Sequence, residues 1–206
     1  MDRRELLKMI AVLTGGVVIG GEVFLSGCKS GGKADAGFTT DHIALLDEVG
    51  ETIIPATNTP GAKAVKIGEF MKLIVNDCYT EAQQTAFIAG IGQLEEACKK
   101  MHSKSFMDCT AGQRHDFLVS LEKEAKPFNE AISEKEKPAR DEARKTMKEY
   151  DFVAAPRHYY TMMKQLTLWG YFTSKEGATM ALRHVAVPGK YDGSYPYKKG
   201  DRAWAE

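Results

Sequence analysis

Residues 152–197 place a helix-period aromatic run directly ahead of a tail punctuated by proline and glycine, FVAAPRHYYTMMKQLTLWGYFTSKEGATMALRHVAVPGKYDGSYPY. Within it Tyr159, Met162, Met163, Leu166, Trp169 and Tyr171 or Phe172 recur near the i, i+3, i+4, i+7 rows of one helical face. Ser174 then caps a short second helix with Glu176 in its first turn, running through Met180 and Leu182 to about His184. Pro188-Gly189 stops that helix, and the chain ends as an arm without periodicity. Tyr191, Tyr195, Tyr197 and Trp204 on this arm each cover about 150–250 Å² if buried, with no regular structure of their own to hide in. The arm must therefore wrap back over the helices or lie on another protein.

The rest of the chain reads as helices as well. Thr39 or Thr40 is an N-cap with Asp41 in the first turn, and Ile43, Leu46, Val49 or Gly50, and Ile53 form a stripe that Pro55 ends. Asp47, Glu48 and Glu51 on the same helix read as an exposed polar face. In the turn-rich segment that follows, Pro60 fixes φ and Gly61 allows φ > 0, which predicts a shaped loop. It is either a plain connector or a surface that meets a partner. A short helix over residues 67–79 turns Phe70, Leu73 and Ile74 inward. Thr80-x-x-Gln83 is a capping box opening a longer helix with Phe87, Ile91, Leu94, Cys98 and Met101 on one face. After a connector holding Phe106, Thr110-x-x-Gln113 opens another, with Phe117, Leu118 and Leu121. Residues 122–144 are strongly charged and contain Pro127 and Pro138, which predicts a loop or a solvated helix pair. Residues 140–150 are helical again. With no strand pairs, repeats or hairpin signals, the fold class is all-α: one domain of about six or seven helices with an irregular aromatic C-terminal arm.

Little here points to catalysis. The 206 residues carry 28 basic and 28 acidic side chains, so no charge excess favours nucleic acid or holds the chain to an anionic membrane. There is no G-x-G-x-x-G, P-loop, G-x-S-x-G or H-E-x-x-H. The histidines His42, His102, His115, His158 and His184 show no metal-ligand spacing on one helix. His158, beside Arg157, reads as a partly buried, hydrogen-bonded histidine, and His184 as a favourable charge near a helix C-terminus. No catalytic, cofactor or metal residue is assigned. Trp169, Tyr171 and Phe172 beside Gly170 divide between core and a partner contact. Cys78, Cys98 and Cys109 lie in no C-x-x-C, and are either one internal bridge plus a free or intermolecular thiol, or three reduced buried thiols.

The N-terminus is a targeting segment. Residues 1–27 pair Arg3-Arg4, Leu6, Leu7 and Lys8 with a glycine-diluted apolar run from Met9 to Val23, too short for a comfortable membrane span. The pattern resembles a twin-arginine export signal, with Leu6 where Phe is commoner. Leu25-Ser26-Gly27-Cys28 resembles a lipobox, which makes the Cys28 thiol the lipidation site and residues 28–38 a lipidated tether ahead of a helical domain over 39–206.

Two irregular motifs then appear in order. Ile53-Ile54-Pro55-Ala56-Thr57-Asn58-Thr59-Pro60-Gly61-Ala62 and, much later, LTLWGYFTS followed by VPGKYDGSYPY resemble the signatures of the gluconate 2-dehydrogenase small-subunit family, with Asn58 where Asp is more usual. The likeness covers roughly Phe38 to Asp201. It implies a non-catalytic subunit that helps a large FAD-containing oxidoreductase of the glucose–methanol–choline type to mature, be exported and be anchored, with electrons passing on to a cytochrome c. FAD is then expected in the partner and none in this chain. Partner contacts fall on Pro55, Thr59, Pro60, Gly61, Trp169, Tyr171, Phe172, Pro188, Gly189, Tyr191, Tyr195 and Tyr197. The chain would sit, lipid-anchored, on the periplasmic side of a bacterial membrane. The competing readings are an independent periplasmic sugar-active enzyme using a carboxylate with His158 or His184, and a structural lipoprotein with unrelated partners.

Overall fold

Three threonine caps set where the main helices begin. The Oγ1 atoms of Thr39, Thr80 and Thr110 accept hydrogen bonds from the backbone N–H three residues on, and the side chains of His42, Gln83 and Gln113 accept in return from the cap N–H. In the structure, a computed structural model that describes residues 36–146, 152–187, 189 and 192–205, these caps open α1 (Thr40–Ile53), α3 (Glu81–His102) and α4 (Ala111–Lys145). Between them lies α2 (Ile67–Cys78), and α5 (Tyr159–Thr173) follows. Single 3₁₀ turns occupy Ala62–Val65 and Phe106–Asp108, and a π-helical turn spans Gly177–Ala181. Among the described residues there is no strand, only an isolated bridge between Arg183 and Trp204, so the all-α expectation holds. The proposed signal, the lipobox with Cys28 and the tether up to residue 35 lie outside the described residues.

One core joins the five α-helices of the described residues. Leu46 and Val49 from α1, Ile67, Met71 and Val75 from α2, and Phe87, Ile91 and Leu94 from α3 are buried with Phe117, Leu118 and Leu121 from α4. From α5, Tyr159, Tyr160, Met162, Met163, Leu166 and Tyr171 complete it. The periodic stripes expected of α1, α2, α3, α4 and α5 thus face inward, with three exceptions. Met101, in the last turn of α3, is 50 % exposed, Leu73 on α2 is 57 % exposed and Trp169 on α5 is 51 % exposed.

The charged stretch differs from expectation. Residues 122–144 are neither a loop nor two helices; they continue α4 without a break through Pro127 and Pro138. Each proline removes one i→i−4 bond, which inside a packed helix costs about 3 kcal/mol or more. Both prolines are exposed here, as are Lys123 and Glu134 at the carbonyls left without a donor, so water can satisfy those groups. Segment 152–158 runs along this outer half as a strap. Arg157 donates to Glu136 at 2.6 Å and Ser133 at 3.2 Å, the His158 N–H donates to Asn129 Oδ1 at 2.9 Å, and Asn129 Nδ2 donates to Thr161 at 2.8 Å. The far end of the expected 140–150 helix is described only as far as Thr146, beyond the last helical residue Lys145.

The cysteines divide two and one. Cys98 and Cys109 are buried and Cys78 is exposed, so the expectation of three buried thiols is set aside.

Candidate functional site

Loop 54–63 is built from beneath by the carboxylates of α1. Glu51 accepts from the Ala56 N–H at 2.8 Å through Oε1 and from the Lys63 N–H at 2.9 Å through Oε2. Glu48 takes Lys63 Nζ at 2.8 Å on one oxygen and Arg114 of α4 on the other. Asp47 accepts from the Gly68 N–H at 2.8 Å, at the start of α2. The three acids are therefore a clamp for the loop and the next helix, not an exposed polar face. Burial pushes the Glu48 carboxyl up, but Lys63 and Arg114 together outweigh it and hold the group below its ordinary value. At Asp47 burial wins over the Gly68 N–H and Lys63, and its carboxyl is held above the ordinary value.

Gly61 has a different role from the one expected. Its φ is −81°, a conformation open to any residue. A Cβ here would sit 2.3 Å from both Glu51 carboxylate oxygens, so any larger residue must push the clamp aside. The requirement is close approach to the clamp, not a left-handed turn. Ala62 N–H to Ile54 O at 2.9 Å and Thr57 N–H to Thr59 O at 2.9 Å close the loop on itself.

Tyr171 then joins the two distant motifs. It is 1 % exposed in the core, and its hydroxyl donates to the Pro60 carbonyl at 2.7 Å. Gly170, beside it, lets α5 lie against α2, since a Cβ there would fall 2.4 Å from Phe70 and 2.5 Å from Ile67. With Tyr171 and Gly170 turned in, Trp169 and Phe172 are left at the surface, 51 % and 39 % exposed. Trp169 packs edge-on against Phe70 with ring centroids 5.4 Å apart. Leu73, one turn along α2, and Leu168 on α5 add further exposed apolar area. Large aromatics half out of water are of the residue types enriched at interface centres.

Of the residues singled out in the sequence, Pro55 is exposed, Thr59 and Pro60 half-exposed, and Gly61 buried on the loop. Tyr171 and Gly61 support the surface from below. Pro188 and Tyr191 lie outside the described residues. Gly189 is exposed with φ 76°, and Tyr197 is exposed. The helix after Ser174 is shorter than expected and ends at Ala181, leaving His184 exposed on the arm. Ser174 does cap it: its Oγ accepts from the Gly177 N–H at 3.0 Å and donates to the Tyr171 carbonyl at 2.6 Å. Gly177 is required there because a Cβ would lie 1.9 Å from that carbonyl oxygen.

The arm folds onto itself around Arg183. The Arg183 N–H donates to Ala203 O at 2.8 Å and the Ala205 N–H to Arg183 O at 2.9 Å. The Arg183 guanidinium lies 5.3 Å from the Tyr195 ring and 4.7 Å from that of Trp204, and these rings meet edge-on at 5.5 Å. Tyr195 and Trp204 remain about half exposed. Sequence reasoning missed Arg183; an arginine heading an aromatic tail was the signal that could have found it.

An open cleft of about 450 Å³ lies elsewhere, lined by α3, Glu124, Phe128 and residues 156–159. His158 on its wall is buried and neutral-favouring, because burial lowers its pKa more than the Glu124 charge raises it. Its Nδ1 accepts the Tyr160 N–H at 3.3 Å as the cap of α5, and its ring stacks on Tyr159 at 4.3 Å. The partly buried, hydrogen-bonded histidine read from the sequence is what the structure shows. Among the described residues no group of three His, Cys, Asp or Glu side chains could hold a metal, and no helix is long and apolar enough to cross a membrane.

Comparison with curated proteins and with solved structures gave no match. A family profile, Gluconate 2-dehydrogenase subunit 3, matches residues 40–189. The match takes in loop 54–63 and α5 and stops at Gly189, so the tyrosine-rich end of the second motif falls outside it. The chain belongs to the gluconate 2-dehydrogenase subunit 3 family, a family of accessory subunits of dehydrogenase complexes.

Proposed function

We propose that this chain is the non-catalytic small subunit of a membrane-anchored, FAD-dependent sugar or polyol dehydrogenase. Its partner is a large flavoprotein of the glucose–methanol–choline type, which it stabilises, escorts across the membrane and tethers through a lipid on Cys28; a cytochrome c receives the electrons. The observation that carries this reading is the joined surface of loop 54–63 and α5. There Tyr171 ties the loop to α5 at Pro60, and its neighbours on α5, Trp169 and Phe172, are exposed. Preorganised loops and half-exposed aromatics lower the ordering cost of association. The export-signal and lipobox patterns at residues 1–28 support the location on the periplasmic face of a membrane. A twin-arginine route carries folded proteins, which suits a subunit that brings a cofactor-loaded partner with it.

A mild-detergent pull-down of the full-length chain from its own cells tests this, read by absorption spectrum. The expected eluate is yellow and contains a second chain of flavoprotein size. A colourless monomer would overturn the reading. Turnover by the isolated chain, lost on His158→Ala, would instead establish the independent enzyme.

A further inference from the structure

Cys98 lies near the end of α3, and Cys109 ends the connector that leads into the Thr110 cap of α4. Their Sγ atoms are 3.6 Å apart in the core, with Cys98 0 % and Cys109 5 % exposed. The connector holds this geometry through its own bonds. Ser103 takes a left-handed φ of 56°, Ser105 accepts the Asp108 N–H at 3.3 Å, and Phe106 is buried beside Phe117. Glu95 Oε1 accepts the Phe106 N–H at 3.3 Å, and Arg114 donates to the carbonyls of Phe106 at 3.0 Å and Met107 at 2.6 Å. A disulfide needs sulfurs about 2.0 Å apart, within reach of small side-chain rotations from this arrangement. His102, four residues after Cys98, does not turn the pair into a metal site, since no three-ligand cluster exists among the described residues.

We infer that Cys98 and Cys109 are a structural disulfide pair, closed outside the cytoplasm, that staples the end of α3 to the start of α4. The inference rests on the export reading for its compartment. The oxidant is a disulfide-bearing thiol oxidoreductase. The Cys109 thiolate attacks one sulfur of the oxidant's disulfide, and the other sulfur leaves as thiolate. Cys98, as thiolate, then attacks the Cys109 sulfur and releases the oxidant's second thiolate. Two protons leave the cysteines and the oxidant's disulfide is reduced to a dithiol. Burial, with Cys109 beside it, pushes the Cys98 thiol up to about 12, which makes the closed dithiol a poor nucleophile. The bridge accordingly forms while the connector is open and serves as a fixed link, not as a switch. Exposed Cys78 is left out of the pair.

The test extracts the full chain from its host, denatures it in iodoacetamide without reductant, and maps its peptides by mass. The expected result is an envelope-fraction chain with Cys98 linked to Cys109 and Cys78 alkylated. Reduction should lower the unfolding midpoint by roughly 5–10 °C. C98S and C109S should each abolish that shift, and C78S should leave it. An envelope-fraction chain with Cys98 and Cys109 both alkylated overturns the bridge and leaves export standing, as does a link from either to Cys78. A cytosolic chain overturns the export reading and with it the bridge in the cell. That purified chain, unfolded and then refolded in oxidised glutathione, decides the pair: a 98–109 link sustains it, and two alkylated thiols reject it.

Discussion

Loop 54–63 and the C-terminal arm are both irregular, both proline- and glycine-rich, and both belong to the motifs that mark this chain. They are held in opposite ways. The loop is tied to two helices, through Glu51 and Glu48 of α1 and Tyr171 of α5, with Arg114 of α4 bracing Glu48 from the other side. The arm is held mainly to itself, by Arg183 between Tyr195 and Trp204, with Arg202 reaching the Met180 carbonyl at 2.7 Å as one further tie. Irregular backbone is rigid when buried polar groups and a core side chain satisfy it, and remains adaptable when its anchors are half in water. The loop thus suits a preformed contact, and the arm one that adjusts on binding.

The largest expected effect breaks the loop from below. Tyr171→Ala removes a buried aromatic and the tie to Pro60, and should cost about 3–5 kcal/mol in denaturant unfolding. Tyr171→Phe, which keeps the ring and loses the hydrogen bond, should cost about 0.5–1.5 kcal/mol. Equal losses for both variants would show that the loop tie, not core filling, dominates. Gly61→Ala should cost about 1–3 kcal/mol, because the new methyl must displace the Glu51 carboxylate. The same change at Gly189, where no atom lies within 4 Å of an added Cβ, meets only the strain of φ 76°.

Acid sharpens the contrast further. Glu48 has a folded pKa below its ordinary value of 4.5, so its contribution is present above about pH 4.5 and lost as pH falls through the lowered value. His158 likewise favours its neutral form, so its share is present above about pH 6.5 and fades as pH falls through its lowered folded value. Asp47 works in the other direction: its raised pKa adds stability at low pH that is lost as pH rises through it. Unfolding midpoints measured from pH 7 to pH 3 should fall, and Glu48→Gln should flatten the part below pH 4.5. The smallest effect belongs to the arm. Arg183→Ala should change stability by about 1 kcal/mol or less, as exposed cation–π contacts do. Truncation after Val187 should leave a folded domain, and unfolding on truncation would show that the arm is internal packing.

Much of this architecture was legible. Thr80-x-x-Gln83 and Thr110-x-x-Gln113 marked helix starts because a local cap leaves a local pattern. The stripe from Tyr159 to Tyr171 predicted its own burial for the same reason, apart from Trp169. What escaped depended on distant partners. Pro127 and Pro138 signalled a break that solvent exposure made tolerable, and nothing local reports exposure. Gly61 looked like a turn glycine, whereas its reason is a carboxylate ten residues earlier in the chain. Glu136 and Asn129 sat in a charge run and became anchors only once segment 152–158 lay against them.

The central claim is that the loop and α5 together present a docking surface through Trp169 and Phe172. Its most direct test compares full-length wild type with W169A/F172A, each co-purified from the host in mild detergent. Both side chains are well exposed, so the variant should unfold within a few degrees of wild type. The account predicts a yellow complex with wild type and a folded, colourless single chain with the variant. A variant that retains the flavoprotein undiminished would contradict it.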